Sequence, residues 1–393
     1  MEYDFTTIIP RRQTNSVKWN VDENELPMSL ADMDFAVAPE IVTAMKEKLD
    51  LGVFGYEIVP DTYYEALINW FQGQHHTKLE KSWLMFVNGV IPALSSIVRS
   101  VTNVGDSILV QAPVYDIFYH SIENNGRHTL TSDLVYQNYH YEIDWTDLAA
   151  KLAQPLTTMM ILCNPHNPVG KTWTKAELER LVKLCTKYHV KLVSDEIHGD
   201  LVWGQEEYIP LAALANLADK EVVSLTSPSK AFNVAALHAA TVIIPNENLR
   251  NQISRGLNND ELTEPNLLAI PGSIAAYTKA DEWLNGLKKQ LTANYYLAEK
   301  FIMANIPEVK ITSGQATYLM WLDVSAYTND SQALADFIRR KTGLVVAAGA
   351  VYRGNGSNFL RLNFACPSQM LLDGLQRLQV SLTEFKKEKN YGN

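Results

Sequence analysis

The feature that most constrains the fold is a regular alternation of short apolar runs with helical stretches between about residue 82 and residue 280. The apolar runs are rich in Val, Ile and Leu without alternating polar residues, which is typical of strands buried on both faces. Strands that alternate with helices predict a mostly parallel sheet covered by helices on both sides. The predicted strands are 83–87, 107–111, 157–163, 190–194, 221–226 and 239–244.

Helix signals complete this organisation. Thr174 followed by Glu177 forms a capping box ahead of periodic apolar positions, and we expect that helix to end near Tyr188. Beyond about residue 280 the pattern changes to a long predicted helix at 282–305 and to β-like segments at 317–324 and 359–364. Since 393 residues exceed what one hydrophobic core usually holds, we expect two domains with a cleft between them.

Composition excludes several classes of function. Lys and Arg number 34 against 44 Asp and Glu, a net charge of −10, and no basic stretch suits a phosphate backbone, so nucleic acid is not expected as a ligand. No run of about 18 apolar residues predicts a membrane span, and the N-terminus lacks a secretory signal, so a cytoplasmic location is expected. Cys163, Cys185 and Cys366 lack zinc-site spacing and are expected to be reduced, mostly in the core.

Four unusual segments lie where loops would leave the carboxyl ends of the predicted strands, which is where open α/β sheets bind ligands. They are Asn-Gly-Val-Ile-Pro at 88–92, Cys-Asn-Pro-His-Asn-Pro-Val-Gly at 163–170, Ser-Asp-Glu-Ile-His-Gly-Asp at 194–200 and Thr-Ser-Pro-Ser-Lys-Ala-Phe-Asn at 226–233. Gly89 lets the backbone approach an anion at a helix start, although such junctions are common in α/β proteins. Two Asn-Pro pairs fix the direction of the Asn167 amide; a rigid turn with nothing bound is the alternative.

Two charged residues in these segments stand in apolar surroundings. Asp195 ends a buried strand, where a carboxylate needs a cation to offset its desolvation. A metal bound by Asp195, His198 and Asp200 is the alternative, but no further ligand cluster completes its shell, so no metal is expected. Lys230 is poorly placed for a solvated charge, and burial favours the neutral amine that attacks an aldehyde; a structural lysine is the alternative.

Taken together, Asn-Pro-x-Asn-Pro-x-Gly at 164–170, Asp-Glu at 195–196 and Ser-x-Ser-Lys at 227–230 resemble the fold-type-I pyridoxal-phosphate (PLP) enzymes of the class I/II aminotransferase superfamily. The resemblance implies that Lys230 carries the cofactor as a Schiff base, that Asp195 pairs with the pyridinium nitrogen and that Asn167 hydrogen-bonds the ring 3′-oxygen. It also implies an α/β fold, in which a large domain with a mostly parallel seven-stranded sheet is joined to a smaller α/β C-terminal domain. The expected division is an N-terminal segment 1–45 that contributes to the small domain and the active site, a PLP-binding domain 46–280 and a small domain 281–393.

Other site residues follow from the same resemblance. Tyr115 matches the aromatic side chain that stacks on the cofactor ring and helps proton transfer to or from the leaving group. Arg361 matches the arginine that grips the substrate α-carboxylate; a surface ion pair is the alternative, but an arginine inside an apolar strand favours the first role. The remaining residues expected to contact the cofactor are Gly89, Val90, Ile91, His198, Ser227 and Ser229.

Within the superfamily, the chain is most similar to the MalY/PatB branch of cystathionine β-lyases and C–S lyases. The markers are Leu-Ala-Asp-Met-Asp-Phe at 30–35, Phe-Gly-Tyr at 54–56, Ser-Asp-Glu-Ile-His at 194–198 and Ser-Lys-Ala-Phe-Asn at 229–233. This resemblance implies a homodimer with shared active sites, because Tyr56 matches a tyrosine that reaches the phosphate of the neighbouring subunit. Asp32 and Tyr56 are expected to contribute to substrate binding.

The implied activity is α,β-elimination on cystathionine or cysteine S-conjugates, which yields a thiol, pyruvate and ammonia. An aminotransferase is the main alternative, and a non-catalytic regulator or binding protein on the same fold is a distant one. A nicotinamide-dependent dehydrogenase is disfavoured, because no G-x-G-x-x-G turn follows an early strand. The chain departs from the family pattern at His198, where aminotransferases usually have tyrosine, at His238, where many have arginine, and at Asp116, where this branch often has proline.

Overall fold

A computed structural model describes residues 3–391 of the chain. Fifteen β-strands run through the described residues. They are β1 Leu26–Pro27, β2 Leu84–Val87, β3 Ser107–Val110, β4 His128–Thr131, β5 Val135–Gln137, β6 His140–Glu142, β7 Thr157–Cys163, β8 Lys191–Asp195, β9 Val222–Thr226, β10 Ala240–Ile243, β11 Lys310–Ile311, β12 Leu319–Asp323, β13 Leu344–Val345, β14 Ala347–Ala348 and β15 Phe359–Asn363.

The described residues also form eleven α-helices and several short 3₁₀ turns. The helices are α1 Pro39–Leu49, α2 Asp61–His75, α3 Val90–Val101, α4 Ile117–Glu123, α5 Trp145–Leu152, α6 Lys175–Lys187, α7 Glu247–Asn259, α8 Ala269–Lys279, α9 Asp281–Asn305, α10 Ser331–Thr342 and α11 Ser368–Tyr391. The predicted capping box is confirmed, since the Thr174 hydroxyl accepts the Glu177 N–H and the Glu177 carboxylate accepts the Thr174 N–H. No helix among residues 3–391 is long and apolar enough to cross a membrane.

A seven-stranded sheet in the order β2-β10-β9-β8-β7-β3-β4 forms the centre of the fold. All neighbours are parallel except β10, which is antiparallel to β2 and β9. The expected mostly parallel, seven-stranded sheet is therefore confirmed. Its outer strand β4 was not among the strands predicted from sequence, because none of its residues is buried and three of the four are polar. The sheet places the carboxyl ends of β2, β3, β7, β8 and β9 along one edge.

Apolar layers cover both faces of this sheet. One face packs under α3 and α7 through side chains such as Leu94, Ile97 and Ile253, which are fully buried. The other face packs under α5 and α6 and also against the four-stranded sheet in the order β11-β12-β15-β14. Trp321 of β12 and Phe359 of β15 supply apolar side chains of the four-stranded sheet to this layer, and their rings stack at 4.9 Å.

The N-terminal segment joins the C-terminal part of the chain. Strand β1 pairs in parallel with β13, and the Asn363 N–H donates to the Met28 carbonyl at 2.7 Å. These pairings tie β1 and Met28 to the C-terminal part of the chain. The division into 1–45, 46–280 and 281–393 stays a prediction.

Candidate active site

A cavity of about 280 Å³ opens at the carboxyl edge of the seven-stranded sheet. It gathers the strand-end segments that the sequence singled out, because parallel strands deliver their following loops to one edge. Its walls include Gly89, Val90, Ile91, Tyr115, Asn167, Asp195, His198, Ser227, Ser229 and Lys230. Three other predicted site residues, Asp32, Tyr56 and Arg361, do not line this cavity and are placed below.

Lys230 follows β9 and extends its amine into the cavity. Its Nζ donates a hydrogen bond to the Ala31 carbonyl at 2.7 Å. Burial lowers the pKa of the amine, the charge of Arg361 lowers it further, and the carboxylates of Asp32 and Asp195 oppose the shift. Burial thus favours the neutral amine, the form that attacks an aldehyde.

Asp195 is the last residue of β8 and lies on the cavity floor, with 3% of its surface exposed. One of its oxygens accepts the Ile197 N–H at 3.1 Å, and no side chain among the described residues donates to it. Burial raises the pKa of its carboxyl to about 7, against the opposing charge of Lys230. A ligand that brings a protonated ring nitrogen would supply the missing cation.

The opposite end of the cavity presents donors suited to an anion. Gly89 has φ +121, in the region that favours glycine, and it precedes the first turn of α3, where free N–H groups attract negative charge. The Ser227 hydroxyl donates to the Ala239 carbonyl at 2.6 Å and accepts the Ser229 N–H at 3.1 Å. His238, which the family comparison marked as a departure, lines the same end.

His198 and Tyr115 form part of the wall between these ends. Burial, together with the charges of Lys230 and Arg361, lowers the pKa of His198 to about 3, so the imidazole is neutral. Its Nδ1 is buried without a hydrogen-bond partner among the described residues. Burial and the nearby carboxylates of Asp116 and Asp195 raise the pKa of the Tyr115 hydroxyl, which keeps its proton at neutral pH.

Arg361 lies inside β15 and reaches the cavity through Asn167. Its Nη1 donates to the Asn167 Oδ1 at 3.0 Å, and its Nη2 donates to the Ser29 carbonyl at 2.9 Å. The guanidinium also packs over the Tyr352 ring, 4.9 Å from the ring centre. Since Arg361 occupies the amide oxygen of Asn167, the amide nitrogen is left to donate toward the cavity. Arg361 is 5% exposed and forms no ion pair with any residue in the described range 3–391.

A strap, residues 29–35, contributes Ala31 to the cavity wall. Six of its carbonyls accept hydrogen bonds from side chains elsewhere in the chain. The pairs are Ser29 with Arg361, Leu30 with Asn363, Ala31 with Lys230, Asp32 with Lys18 and Asn363, Met33 with Arg11 and Asn233, and Phe35 with Asn233. The strap therefore binds the two groups expected to handle cofactor and substrate, Lys230 and Arg361.

Asp32 belongs to this strap, and its carboxylate pairs with Arg11 at 2.6 Å. The neighbouring Asp34 is buried and accepts from Arg11 at 2.8 Å and from Lys18 at 2.6 Å. Asp32 acts on the cavity through its charge, which raises the pKa of Lys230 against the larger effect of burial. Its predicted role in substrate binding stays a prediction.

Tyr56 is not among the residues that line the cavity and is 100% exposed. Leu51, Val53, Phe54 and Ile58 around it are also more than half exposed. So long an apolar stretch left in water is unusual for a monomer and typical of a surface that another protein covers.

The metal alternative finds no support in the described part of the chain, where no cluster of three or more His, Cys, Asp or Glu side chains could hold an ion. Asp200 lies outside the cavity. Its Oδ1 contacts the His75 Nε2 at 2.7 Å and accepts from the Trp70 Nε1 at 2.9 Å.

Several cavity residues were not predicted from the sequence. Cys163 lines the wall, where its thiol donates to the Pro165 carbonyl at 3.2 Å and accepts the Asn167 N–H at 3.4 Å. Its position immediately before the Asn-Pro motif could have revealed it. Ala31 carries no such signal, because it acts through a backbone carbonyl.

Comparisons with known proteins agree with this geometry. The sequence profile of the family described as aminotransferase class I and II matches residues 23–378. Cystathionine β-lyase PatB of Bacillus subtilis (strain 168) is 38% identical over 379 residues, which cover 95% of this chain and 98% of that protein. Protein MalY of Escherichia coli (strain K12) is 36% identical, with coverage of 96% and 98%.

Solved structures show the same fold. Cystalysin from Treponema denticola, which contains a pyridoxal 5′-phosphate cofactor, matches with a TM-score of 0.94 at 30% identity, covering 98% of this chain and 100% of that one. The PLP-bound C–S lyase from Staphylococcus hominis matches with a TM-score of 0.91 at 29% identity, covering 97% and 99%. The expected fold class is confirmed.

Proposed function

Because the chain belongs to the class I and II aminotransferase family, we propose that it is a PLP-dependent carbon–sulfur β-lyase that acts on cystathionine or related cysteine S-conjugates. The observation that carries the proposal is the full-length similarity to cystathionine β-lyase PatB together with an intact set of reactive side chains around one cavity. A non-catalytic regulator is disfavoured, because Lys230, Asp195 and Asn167 line that cavity.

The residues present fit pyridoxal phosphate. Lys230 supplies a buried amine, and Asp195 supplies a buried carboxylate with no cationic hydrogen-bond partner among the described residues. The start of α3 and the hydroxyls of Ser227 and Ser229 supply donors for a phosphate. Asn167 has an amide nitrogen free to bind the ring oxygen, since Arg361 takes its oxygen.

When bound, the cofactor supplies an electron sink that stabilises negative charge at the substrate Cα. The Lys230 amine takes the Cα proton, since its lowered pKa leaves a lone pair available. The buried Asp195 carboxylate would pair with the ring nitrogen and hold its proton. Arg361 holds the α-carboxylate in a forked contact, and the Tyr115 hydroxyl, which keeps its proton, can give it to the departing sulfur. Loss of the Cα proton and cleavage of the Cβ–S bond give the thiol and 2-aminoacrylate, which water converts to pyruvate and ammonia.

The enzyme is further proposed to act as a homodimer with shared active sites in the cytoplasm. The support is the exposed apolar segment 51–58, in which Tyr56 has no contact with its own cavity. We expect light scattering to find a dimer at working concentrations. Tyr56→Phe should weaken cofactor retention by about 1–2 kcal/mol, the contribution of one charge-assisted hydrogen bond to phosphate. A fully active monomer would contradict the dimer.

The activity is tested by incubating the holoenzyme with L-cystathionine, L-cystine and S-alkylcysteines and measuring pyruvate and thiol release. The same preparation is offered 2-oxoglutarate as amino acceptor. We expect equal amounts of pyruvate and thiol, and little glutamate. Glutamate formation without thiol release would instead identify an aminotransferase, whose chemistry shares every step up to the loss of the Cα proton.

A further inference from the structure

Asn233 lies three residues after Lys230, and its side-chain amide bonds the strap at residues 29–35. Its Oδ1 accepts the Met33 N–H at 3.4 Å, and its Nδ2 donates to the Met33 carbonyl at 3.4 Å and to the Phe35 carbonyl at 2.9 Å. The amide thus pairs with both polar groups of the Met33 main chain. It joins two segments that are 200 positions apart in the sequence, directly beside the reactive lysine.

The Lys230 amine bonds the same strap two residues before Met33. Its Nζ donates to the Ala31 carbonyl at 2.7 Å, and Ala31 lines the cavity. A lysine side chain has many rotamers of similar energy, so one well-placed acceptor selects a single position of the amine among many. The Ala31 carbonyl therefore orients the free amine, which is the form in which Lys230 takes the Cα proton.

Both partners of the Asn233 contact are held by the rest of the fold. Asn233 has φ +56, a left-handed conformation that asparagine adopts more readily than most residues, and the Val234 N–H closes its turn by donating to the Ser229 carbonyl at 3.0 Å. On the strap side, Phe35 is buried and packs edge-to-face on Phe5, with ring centres 5.3 Å apart. The direction of the Asn233 amide is thus fixed at both ends.

The strap has a second anchor on the side of Arg361. Asn363, two residues after Arg361 in β15, donates to the Leu30 and Asp32 carbonyls. Asn363 therefore holds the strap to the strand that carries the arginine, whereas Asn233 holds it to the turn that carries the lysine. Loss of the first anchor is expected to affect substrate binding, and loss of the second is expected to affect proton transfer.

We propose that Asn233 is a positioning residue for the Lys230 amine. By holding the strap to the lysine turn, it keeps the Ala31 carbonyl in place to orient the amine for the Cα proton. Rates of transfer between positioned groups depend steeply on their geometry, so a displaced strap slows this step while the α-carboxylate contact at Arg361 remains. This inference rests on the proposed lyase activity and assigns a further residue to its proton-transfer step.

The first readout uses cofactor-free protein. Formaldehyde with cyanoborohydride methylates accessible amines, and peptide mass spectrometry gives the rate at Lys230, with Lys288 as the internal standard. Asn233→Gly removes the side chain, and glycine adopts the left-handed backbone without strain. We expect Lys230 to be methylated about threefold faster in this variant, because its amine loses a fixed acceptor. Asn233→Asp keeps the size of the side chain but loses the donor, and it should have the same effect.

The second readout is the exchange of the Cα hydrogen of L-alanine in D₂O, catalysed by the holoenzyme and followed by proton NMR. Alanine has no leaving group at Cβ, so the rate reports proton transfer without elimination. Asn233→Gly should lower the maximal rate about tenfold, the effect of one or two lost hydrogen bonds, and should change KM by less than about twofold. A merely structural defect would not separate the rate from KM in this way.

Asn216→Gly is the matched control, since Asn216 is an exposed asparagine with φ +59 that does not line the cavity, and it should leave both readouts unchanged. Unaltered methylation and exchange in both Asn233 variants would overturn the role of Asn233 and leave the lyase activity standing. A loss that lies entirely in KM would also overturn it, because the effect would then be on substrate binding. Alanine exchange that slows in Asn233→Gly, in an enzyme that releases no thiol, would support the role of Asn233 and refute the lyase activity.

Discussion

The two walls of the cavity are built in different ways. On the sheet side, Asp195, Lys230 and Ser227 lie within a few residues of a strand end, and the sheet alone brings them together. On the other side, Ala31 of the strap at 29–35 lines the cavity, and β15, which carries Arg361 and Asn363, comes from the opposite end of the chain and holds the strap through side-chain bonds to its backbone carbonyls. The sheet wall is thus locally encoded, whereas the strap wall depends on long-range contacts.

The sharpest test of the sheet wall is Lys230→Ala. We expect turnover to fall by several orders of magnitude while cofactor still binds, because both the covalent anchor and the proton carrier are lost. In wild type, borohydride should fix the cofactor to Lys230, as peptide mass mapping will show. Lys288→Ala is the control, since burial also lowers the pKa of Lys288, which lies outside the cavity. In that variant, borohydride should still fix the cofactor to Lys230. A label on another lysine would refute the assignment.

The bond between Arg361 and Asn167 joins the two walls. Arg361→Lys keeps the charge but loses the fork, so kcat/KM should fall by about 1.5–3 kcal/mol of transition-state stabilisation. The loss should be equal for cystathionine and S-methylcysteine, since both carry the same α-carboxylate. Steady-state kinetics with decarboxylated analogues provide the control, because these should react poorly and lose little more in the variant. Discrimination among thioether tails would place the carboxylate contact elsewhere.

Asp195 should destabilise the cofactor-free protein, because its carboxylate is buried without a cationic hydrogen-bond partner among the described residues. Burial raises its pKa to about 7 from an ordinary value of 3.8, so the folded protein binds this proton more tightly than the unfolded chain does. The free energy of unfolding of cofactor-free protein should therefore fall as pH rises from about 4 through 7. At pH 8, Asp195→Asn should stabilise cofactor-free protein by about 1–3 kcal/mol, while it weakens cofactor binding.

Denaturant unfolding at pH 8 measures this effect, and Asp200→Asn is its control. Asp200 is also a buried carboxylate, but His75 and Trp70 bind it. Neutralising Asp200 should therefore destabilise the protein. Destabilisation of both variants would show that Asp195 is satisfied within the fold.

The strap gives the smallest expected effect. The Asn363 amide donates to the Leu30 and Asp32 carbonyls. Asn363→Ala should therefore raise KM by a factor that corresponds to about 1–2 kcal/mol, the contribution of the two lost hydrogen bonds, and should change cofactor retention little. Asn294→Ala is the matched control, since the buried Asn294 amide donates to the Phe364 and Cys366 carbonyls, away from the cavity. This variant should lose a similar free energy of unfolding without an increase in KM. Equal increases of KM in the two variants would contradict a specific role of the strap at the cavity.

Much of the sheet wall could be predicted, because its motifs are short and each follows an apolar run. The same logic failed at β4, whose residues are not buried and leave little apolar signal. Antiparallel β10 was predicted as a strand, but its direction could not be read, since parallel and antiparallel buried strands share one pattern. The role of Asp32 illustrates the limit on the other wall: the sequence marks the residue, whereas the structure pairs it with Arg11.

By itself, the sequence determined which chemical groups stand at the strand ends, since local patterning fixes strands, caps and turns. It determined the candidate lysine, carboxylate and amide of the sheet wall. Only the tertiary structure decided which carbonyls hold Lys230 and Arg361 and that His198 is neutral. Burial and pairing depend on residues hundreds of positions apart, and no local pattern records them.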